Sequence, residues 1–209
     1  MKISVIMPVN LSPYTDGNFK SASQPEIKFV RAVGSFLEQT YNDAELIIVS
    51  DGDLKVMRIY ESLWLNCSNI EFAMIPKQSQ FAGLVRQTGI DIACGDIVCY
   101  LDADDKLGIN HLKIINDNFD TEKYDWVYYN DYLIKSADFT VLTERNVQPV
   151  QSSIGTSSIA HKRSCNVVWG DGYGHDLVMI LDYLLHRPGA KIATPQYYVC
   201  HCSGLNMDF

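Results

Sequence analysis

The stretch Asp96-Ile97-Val98-Cys99-Tyr100-Leu101-Asp102-Ala103-Asp104-Asp105 bears most directly on both the fold and the function of this chain. Its first half is a short apolar run, which is typical of a strand buried on both faces of a parallel sheet. The run leads directly into three aspartates within four residues. Ligands of open α/β sheets bind just beyond the carboxyl ends of the strands, so this acidic cluster is a candidate site.

The chemistry of the cluster points to a cation. Like charges a few ångströms apart raise one another's pKa unless a cation compensates them. Carboxylate oxygens suit Mg²⁺ or Mn²⁺, and Mg²⁺ often bridges one or two carboxylates to substrate phosphates. An acidic turn with solvated side chains fits the residues equally well. The cluster alone therefore leaves both interpretations open.

Strands and helices alternate through the first 120 residues, which predicts an α/β fold with a mostly parallel sheet flanked by helices. The second half is less regular and is expected to add a smaller mixed part. Residues 11–25 are rich in turn-forming residues and are predicted to be a loop. The predicted strands are 3–9, 45–50, 70–75, 96–101, 125–129 and 197–200. The first predicted helix starts at residue 25. The other predicted helices cover 54–65, 81–93, 107–119 and 174–185. The residues expected to share one helix face are Ile27, Val30, Arg31, Gly34 and Leu37 in the first helix, and Phe81, Leu84, Val85, Thr88 and Ile92 in the third.

Composition limits the class of protein. The 209 residues are 47% hydrophobic and 20% charged, which is a globular balance sufficient for one well-formed core. The net charge of −8 repels nucleic acid and anionic membranes, so neither is expected as a partner. No apolar run is long enough for a membrane span or a signal peptide. The six cysteines form no C-x-x-C pair, and Cys200-His201-Cys202 lacks the partners of a zinc site. We expect a cytoplasmic chain, peripheral to a membrane at most through its acceptor.

Four ordered segments resemble the family 2 glycosyltransferases. The helix and strand that lead into the acidic cluster match the family's Arg-Asn-x-Gly, Ala-x-Gly and Asp-x-Asp-Asp pattern. Earlier segments resemble its first strand, its Ser-x-x-x-Gln-Thr stretch and its second strand, which usually ends in Asp-Asp-Gly-Ser. The resemblance runs in order from residue 3 to 112, with weaker matches to 205. The matching segments are Ser4–Asn10, Ser35–Tyr41, Ile47–Gly52 and Gly83–Asp105.

The resemblance implies a GT-A (Rossmann-like) fold in a single domain over 1–209. Its nucleotide-binding half would be 1–105 and its acceptor-side half 106–209. The implied activity is an inverting transfer of one sugar from a nucleotide-diphosphate sugar, with a UDP-sugar favoured, to a hydroxyl of a saccharide or lipid-linked saccharide. Mn²⁺ or Mg²⁺ would be the cofactor. Processive synthases of the family carry a long C-terminal region with membrane helices, which is not in this sequence, so single-sugar transfer is expected.

The resemblance also implies site residues. Asp104 would ligate the metal directly, and Asp102 would reach the metal or the ribose. His201, in a His201-x-x-Gly204-x-Asn206 pattern, would be a third ligand or else a structural histidine. Asp176 would be the general base, or else an aspartate that complements a helix dipole. The nucleotide-sugar contacts would come from Pro8, Val9, Asn10, Asp51, Arg86, Asp102 and Ala103, with a surface helix cation as the alternative for Arg86.

On the acceptor side, Trp169 would stack on a sugar or else be a core residue, and His175 is a tentative acceptor contact. The sequence departs from the family pattern at three positions, where Ser50, Gln87 and His175 stand in place of Asp, Asn and Glu. These departures leave the base specificity and the acceptor side open.

Two rival functions remain. A nucleotidyltransferase would need a glycine-rich phosphate loop after the first strand, where this chain has only Gly17. A non-catalytic module that binds a nucleotide-sugar stays possible because His175 replaces the usual acid.

Overall fold

The structure is a computed structural model, and it describes all residues except 14, 17, 18, 78–80, 151, 152, 173, 194, 203, 204 and 206. Strand and helix alternate in its first half, as predicted. The helices are α1 (Pro25–Leu37), α2 (Leu54–Leu63), α3 (Gly83–Ile92), α4 (His111–Asn118) and α5 (His175–Met179), which a π-helical segment (Ile180–Leu184) continues. The strands are β1 (Ile3–Val9), β2 (Thr15–Asp16), β3 (Phe19–Lys20), β4 (Ala44–Asp51), β5 (Ile70–Ile75), β6 (Ile97–Tyr100), β7 (Lys106–Leu107), β8 (Trp126–Tyr128), β9 (Asp131–Ile134), β10 (Leu142–Arg145), β11 (Ile159–Lys162), β12 (Gly189–Lys191), β13 (Tyr197–Val199), β14 (His201–Cys202) and β15 (Met207–Asp208).

The larger sheet has the order β12-β8-β11-β6-β1-β4-β5 in the described chain. The strands β6, β1, β4 and β5 are parallel, and β11 runs antiparallel between β6 and β8. Both faces of this sheet are covered, because the side chains that alternate along β1 enter two separate cores. One core receives α1, α2 and α4, and the other receives α3, α5 and the π-helical segment.

A smaller sheet with the order β10-β9-β13-β7 is the mixed part expected in the second half. Its strand β13 pairs antiparallel with β7 and parallel with β9. Since β7 starts one residue after the acidic cluster, this pairing ties the C-terminal part of the chain to the candidate site.

The buried faces of two helices differ from the prediction. In α1 the core is formed by Phe29, Ala32, Val33 and Phe36, whereas Ile27 is 65% exposed. In α3 the buried residues include Gly83, Arg86 and Gly89, which an apolar pattern cannot identify. The apolar spacing located both helices but not their buried faces. In α3 the reason is that glycine and arginine carry no hydrophobic signal, although Val85 is buried as predicted. In α1 a second apolar stripe, starting at Phe29, is the buried one.

The bounds of other elements also differ from the prediction. The predicted loop 11–25 contains the short antiparallel pair of β2 and β3. The helix predicted at 107–119 begins only at His111, because residues 106–107 pair with β13 as a strand. In the described residues, no helix is both long and apolar enough to cross a bilayer.

Candidate active site

The carboxyl ends of β1, β4 and β6 lie side by side, so the predicted site segments meet at one edge of the sheet. Pro8 pairs with Val49, and the amide of Asn10 donates to the carbonyl of Asp51 at 3.0 Å. The side chain of Val9, however, is buried in the core, with 2% exposure. Any contact of Val9 with a nucleotide would therefore be made by its backbone, and that contact stays a prediction.

Asp51 is held by a lysine that the sequence analysis did not consider. Its carboxylate is 6% exposed and forms an ion pair with Lys77, just beyond β5. The turn that follows Asp51 packs closely against Lys77, because Gly52 has φ +70° and a Cβ there would lie 2.7 Å from the backbone nitrogen of Lys77. Applying the strand-end rule to β5 as well would have identified this lysine.

Asp105 is a structural member of the acidic cluster. Its exposure is 4%, and its carboxylate accepts hydrogen bonds from the Tyr197 hydroxyl at 2.9 Å and the Cys200 amide at 2.8 Å. The same Tyr197 oxygen accepts from the backbone nitrogen of Asp102 at 3.1 Å. Burial raises the pKa of Asp105 well above its usual range, and the neighbouring Asp104 raises it further. Tyr197 thus fixes the turn that carries the other two aspartates.

Asp104 is half-buried within the cluster. Burial and then the charge of Asp102 raise its pKa to about 6, while His201 and Lys28 act in the opposite direction. Its backbone carbonyl accepts a hydrogen bond from Arg31 of α1 at 2.7 Å. A carboxylate with this elevated pKa lies where a cation would relieve the repulsion. Ala103, between the two aspartates, packs partly against the core.

Asp102 is joined to the second half of the chain through Arg86. One amino nitrogen of Arg86 donates to the Asp102 carboxylate at 2.6 Å, and the other lies 2.9 Å from Nε2 of His175. Arg86 is 6% exposed, which does not fit the alternative of a surface helix cation. Its guanidinium lies 5.3 Å from the ring centroid of Trp169, a cation–π contact.

Trp169 is a core residue. It is 1% exposed, packs edge-on against Tyr100, and its backbone nitrogen donates to Gln87 of α3 at 2.9 Å. A ring so enclosed has no free face for an acceptor sugar, so the structure favours the core alternative. Its role at the site is to support the guanidinium of Arg86.

His201 bonds through both ring nitrogens. Nδ1 lies 3.0 Å from the carboxylate of Asp208, and Nε2 lies 3.0 Å from the carbonyl oxygen of Lys20. To bind a metal, the ring would have to give up one of these bonds. Gly204 and Asn206 of the predicted pattern lie outside the described residues.

Asp176 is the second residue of α5 and is half-buried. Its carboxylate accepts from the Leu177 amide at 2.9 Å, and a Cβ added to Gly155 would lie 3.3 Å from its other oxygen. The charges of Asp176 and Asp102 both act on the pKa of His175. The predicted base thus directly follows His175, the last residue of the path Asp102–Arg86–His175.

The donor set fits a divalent cation held jointly with phosphates. Asp102 and Asp104 offer two carboxylates, the number that Mg²⁺ commonly bridges to a diphosphate. In the described part of the chain, no three His, Cys, Asp or Glu side chains are grouped closely enough to hold a metal without other ligands. The raised pKa of Asp104 is the observation that favours a cation here.

Comparison with known proteins identifies both relatives in sequence and similar structures. An uncharacterized glycosyltransferase of Nostoc sp. is 30% identical over 141 residues, or 68% of this chain and 40% of that protein. Staphylococcus aureus TarS in complex with UDP-GlcNAc matches with a TM-score of 0.69 at 17% identity, over 95% of this chain and 58% of that one. A mannosyltransferase from Pyrobaculum calidifontis, in complex with GDP-Man and Mn²⁺, matches with a TM-score of 0.61 at 14% identity, over 95% and 56%.

At these identities the two structures establish the fold, which is GT-A. This chain spans only part of each of these proteins. The sequence profile described as glycosyl transferase family 2 matches residues 28–173, which is more than half of the chain. The chain therefore belongs to the family 2 glycosyltransferases.

Proposed function

We propose that this chain transfers one sugar from a nucleotide-diphosphate sugar, with a UDP-sugar favoured, to a hydroxyl of a saccharide or lipid-linked saccharide, with inversion at the anomeric carbon. The observation that carries the proposal is the Asp102–Arg86–His175 path, which joins the metal motif to the helix of Asp176. The complexes of the structural neighbours with UDP-GlcNAc and GDP-Man support a nucleotide-sugar donor.

In this proposal the chain's own residues bind and orient the donor. Asp51 with Lys77 faces the base, while Asn10 and the backbone at Pro8 and Val9 line the nucleotide. The guanidinium of Arg86, held between Asp102 and His175, would supply positive charge beside the diphosphate. Mn²⁺ or Mg²⁺, held by Asp104 and Asp102, would neutralise the charge that develops on the leaving nucleoside diphosphate.

Asp176 acts as the general base of the transfer. Its carboxylate takes the proton of the acceptor hydroxyl while that oxygen attacks the anomeric carbon. The bond from this carbon to the phosphate oxygen breaks, and the nucleoside diphosphate leaves with the electron pair. Attack opposite the leaving group inverts the configuration.

The test uses the whole chain with MnCl₂ and a panel of UDP-sugars and GDP-Man. Donor binding is measured by calorimetry, and donor hydrolysis or transfer by release of nucleoside diphosphate. Asp176→Asn should lower turnover by at least about 100-fold with little effect on UDP binding. Asp182→Asn is the matched control, because Asp182 is exposed on the π-helical segment that continues α5.

A non-catalytic nucleotide-sugar-binding module is the second candidate, because His175 stands where the family pattern has an acid. That candidate predicts binding of a nucleotide-sugar with no turnover by the wild type. Turnover that is indifferent to Asp176→Asn would exclude the proposed base. Binding of every donor that is indifferent to Mn²⁺ would exclude the proposed metal site.

A further inference from the structure

The hydrogen bonds of His175 define its protonation. Nδ1 lies 2.9 Å from the carbonyl oxygen of Gly172, which can only accept, so Nδ1 carries a proton. Nε2 lies 2.9 Å from Nη1 of Arg86, which can only donate. Nε2 therefore presents its lone pair, and the imidazole is neutral.

We propose that His175 is a positioning residue: its neutral Nε2 accepts a hydrogen bond from Arg86 and holds the guanidinium in the orientation that pairs with Asp102. The consequence for donor binding rests on the proposed function, whereas the hydrogen bond itself does not. No acid is needed at this position for such a role, because a neutral nitrogen supplies the acceptor.

Arg86 needs such a partner because it is enclosed. It is 6% exposed, and its Nε is buried without a hydrogen-bond partner among the described residues. Asp102 and His175 each accept a hydrogen bond from one amino nitrogen of Arg86, while the indole ring of Trp169 covers a face of the guanidinium. Without the acceptor at Nε2, a buried cationic donor loses a hydrogen bond and its preferred orientation.

The surroundings of His175 keep the ring neutral. The charged groups that face it are Arg86 from α3, Asp102 after β6 and Asp176 on its own helix. Burial lowers the pKa of His175, and the charge of Arg86 lowers it further. Helix α3 lies close against the loop before α5, since a Cβ on Gly83 would lie only 1.9 Å from the Gly170 carbonyl oxygen.

The first test measures the tautomer and the charge of the His175 ring directly. Two-bond ¹H–¹⁵N spectra of the ¹⁵N-labelled chain should show His175 as the Nδ1–H tautomer at pH 7 and still neutral at pH 6.5, the ordinary midpoint of histidine. His175→Phe identifies the signal by its loss. His161 is an internal control, because its Nδ1 also bonds a backbone carbonyl and its pKa is lowered to about 4. An Nε2–H tautomer or a charged ring at pH 7 would overturn the proposal.

The second test compares two variants by calorimetry with UDP and MnCl₂. His175→Phe keeps a ring but removes the acceptor, and should weaken UDP binding about tenfold, which corresponds to about 1.4 kcal/mol. His175→Gln supplies a side-chain oxygen as acceptor and should restore most of the affinity. Thermal melting of both variants checks that they are folded. Equal losses in both folded variants would contradict a positioning role.

The two proposals can fail separately. If the wild type binds neither UDP nor any donor of the panel, the proposed function fails, and the Arg86 amino protons decide the positioning role. These protons should exchange slowly in the wild type and in His175→Gln, and faster in His175→Phe. Equally fast exchange in all three proteins would exclude the role even though the fold is intact.

Discussion

Asp104 should make metal binding depend on protons in a calculable way. In the metal-free chain its pKa is raised to about 6, so the side chain is mostly ionised at pH 7 and mostly protonated at pH 5. A metal binds only the carboxylate, so protons compete with it. For one group with this pKa, the apparent affinity for Mn²⁺ should fall about tenfold from pH 7 to pH 5. Calorimetry with MnCl₂ alone, in buffers of different ionisation enthalpy, should register proton release near pH 6.

The same pKa predicts an effect on stability. The folded-state pKa of about 6 lies above the ordinary aspartate value of 3.8, so ionisation of Asp104 costs stability as pH rises through this range. Asp104→Asn should therefore stabilise the metal-free chain at pH 7 by about 1–3 kcal/mol, and much less at pH 4. Urea unfolding with EDTA at both pH values measures this difference. An Mn²⁺ affinity that is constant from pH 5 to 7, together with a stability gain independent of pH, would refute the reasoning.

Three further changes have distinct expected outcomes. Gly83→Ala should destabilise the fold by about 1–3 kcal/mol in urea unfolding, because the new Cβ would lie 1.9 Å from the Gly170 carbonyl oxygen. Arg145→Met should cost about 3 kcal/mol in the same assay, because it leaves the fully buried Asp131 without its ion pair; an unchanged midpoint would contradict this. Asp176→Asn should reduce kcat for donor turnover while KM for the donor changes little, and a rise in KM alone would indicate a binding role instead.

The sequence predicted the sheet well because buried parallel strands are continuous apolar runs. The strand before Asp102, the strand-end acids and the order of the longer elements up to α4 follow from that signal, whereas the short strands β2, β3 and β7 do not. The buried face of α3 does not, because Gly83 and Arg86 are buried by close contacts that lie outside any hydrophobic pattern.

The sequence predicted the acidic residues of the candidate site, but not the residues that hold their carboxylates in place. Lys77 and Tyr197 hold Asp51 and Asp105, yet each lies far from its partner in the sequence and belongs to no motif. The sequence left two roles for Trp169, because an indole can pack in a core or stack on a sugar equally well. Its exposure of 1% decides for the core.

The hydrogen bonds of Asp105 bear on the order in which parts of the chain fold during synthesis. Its two hydrogen-bond donors, Tyr197 and Cys200, lie 92 and 95 residues later. While the ribosome still holds the C-terminal part, Asp105 has neither donor, and burying it would be costly. The acidic turn should therefore stay open and hydrated until residues 197–200 have emerged, after the strands around it can have paired. Although the turn lies in the middle of these 209 residues, it would take its final shape only when a segment more than 90 residues later is available.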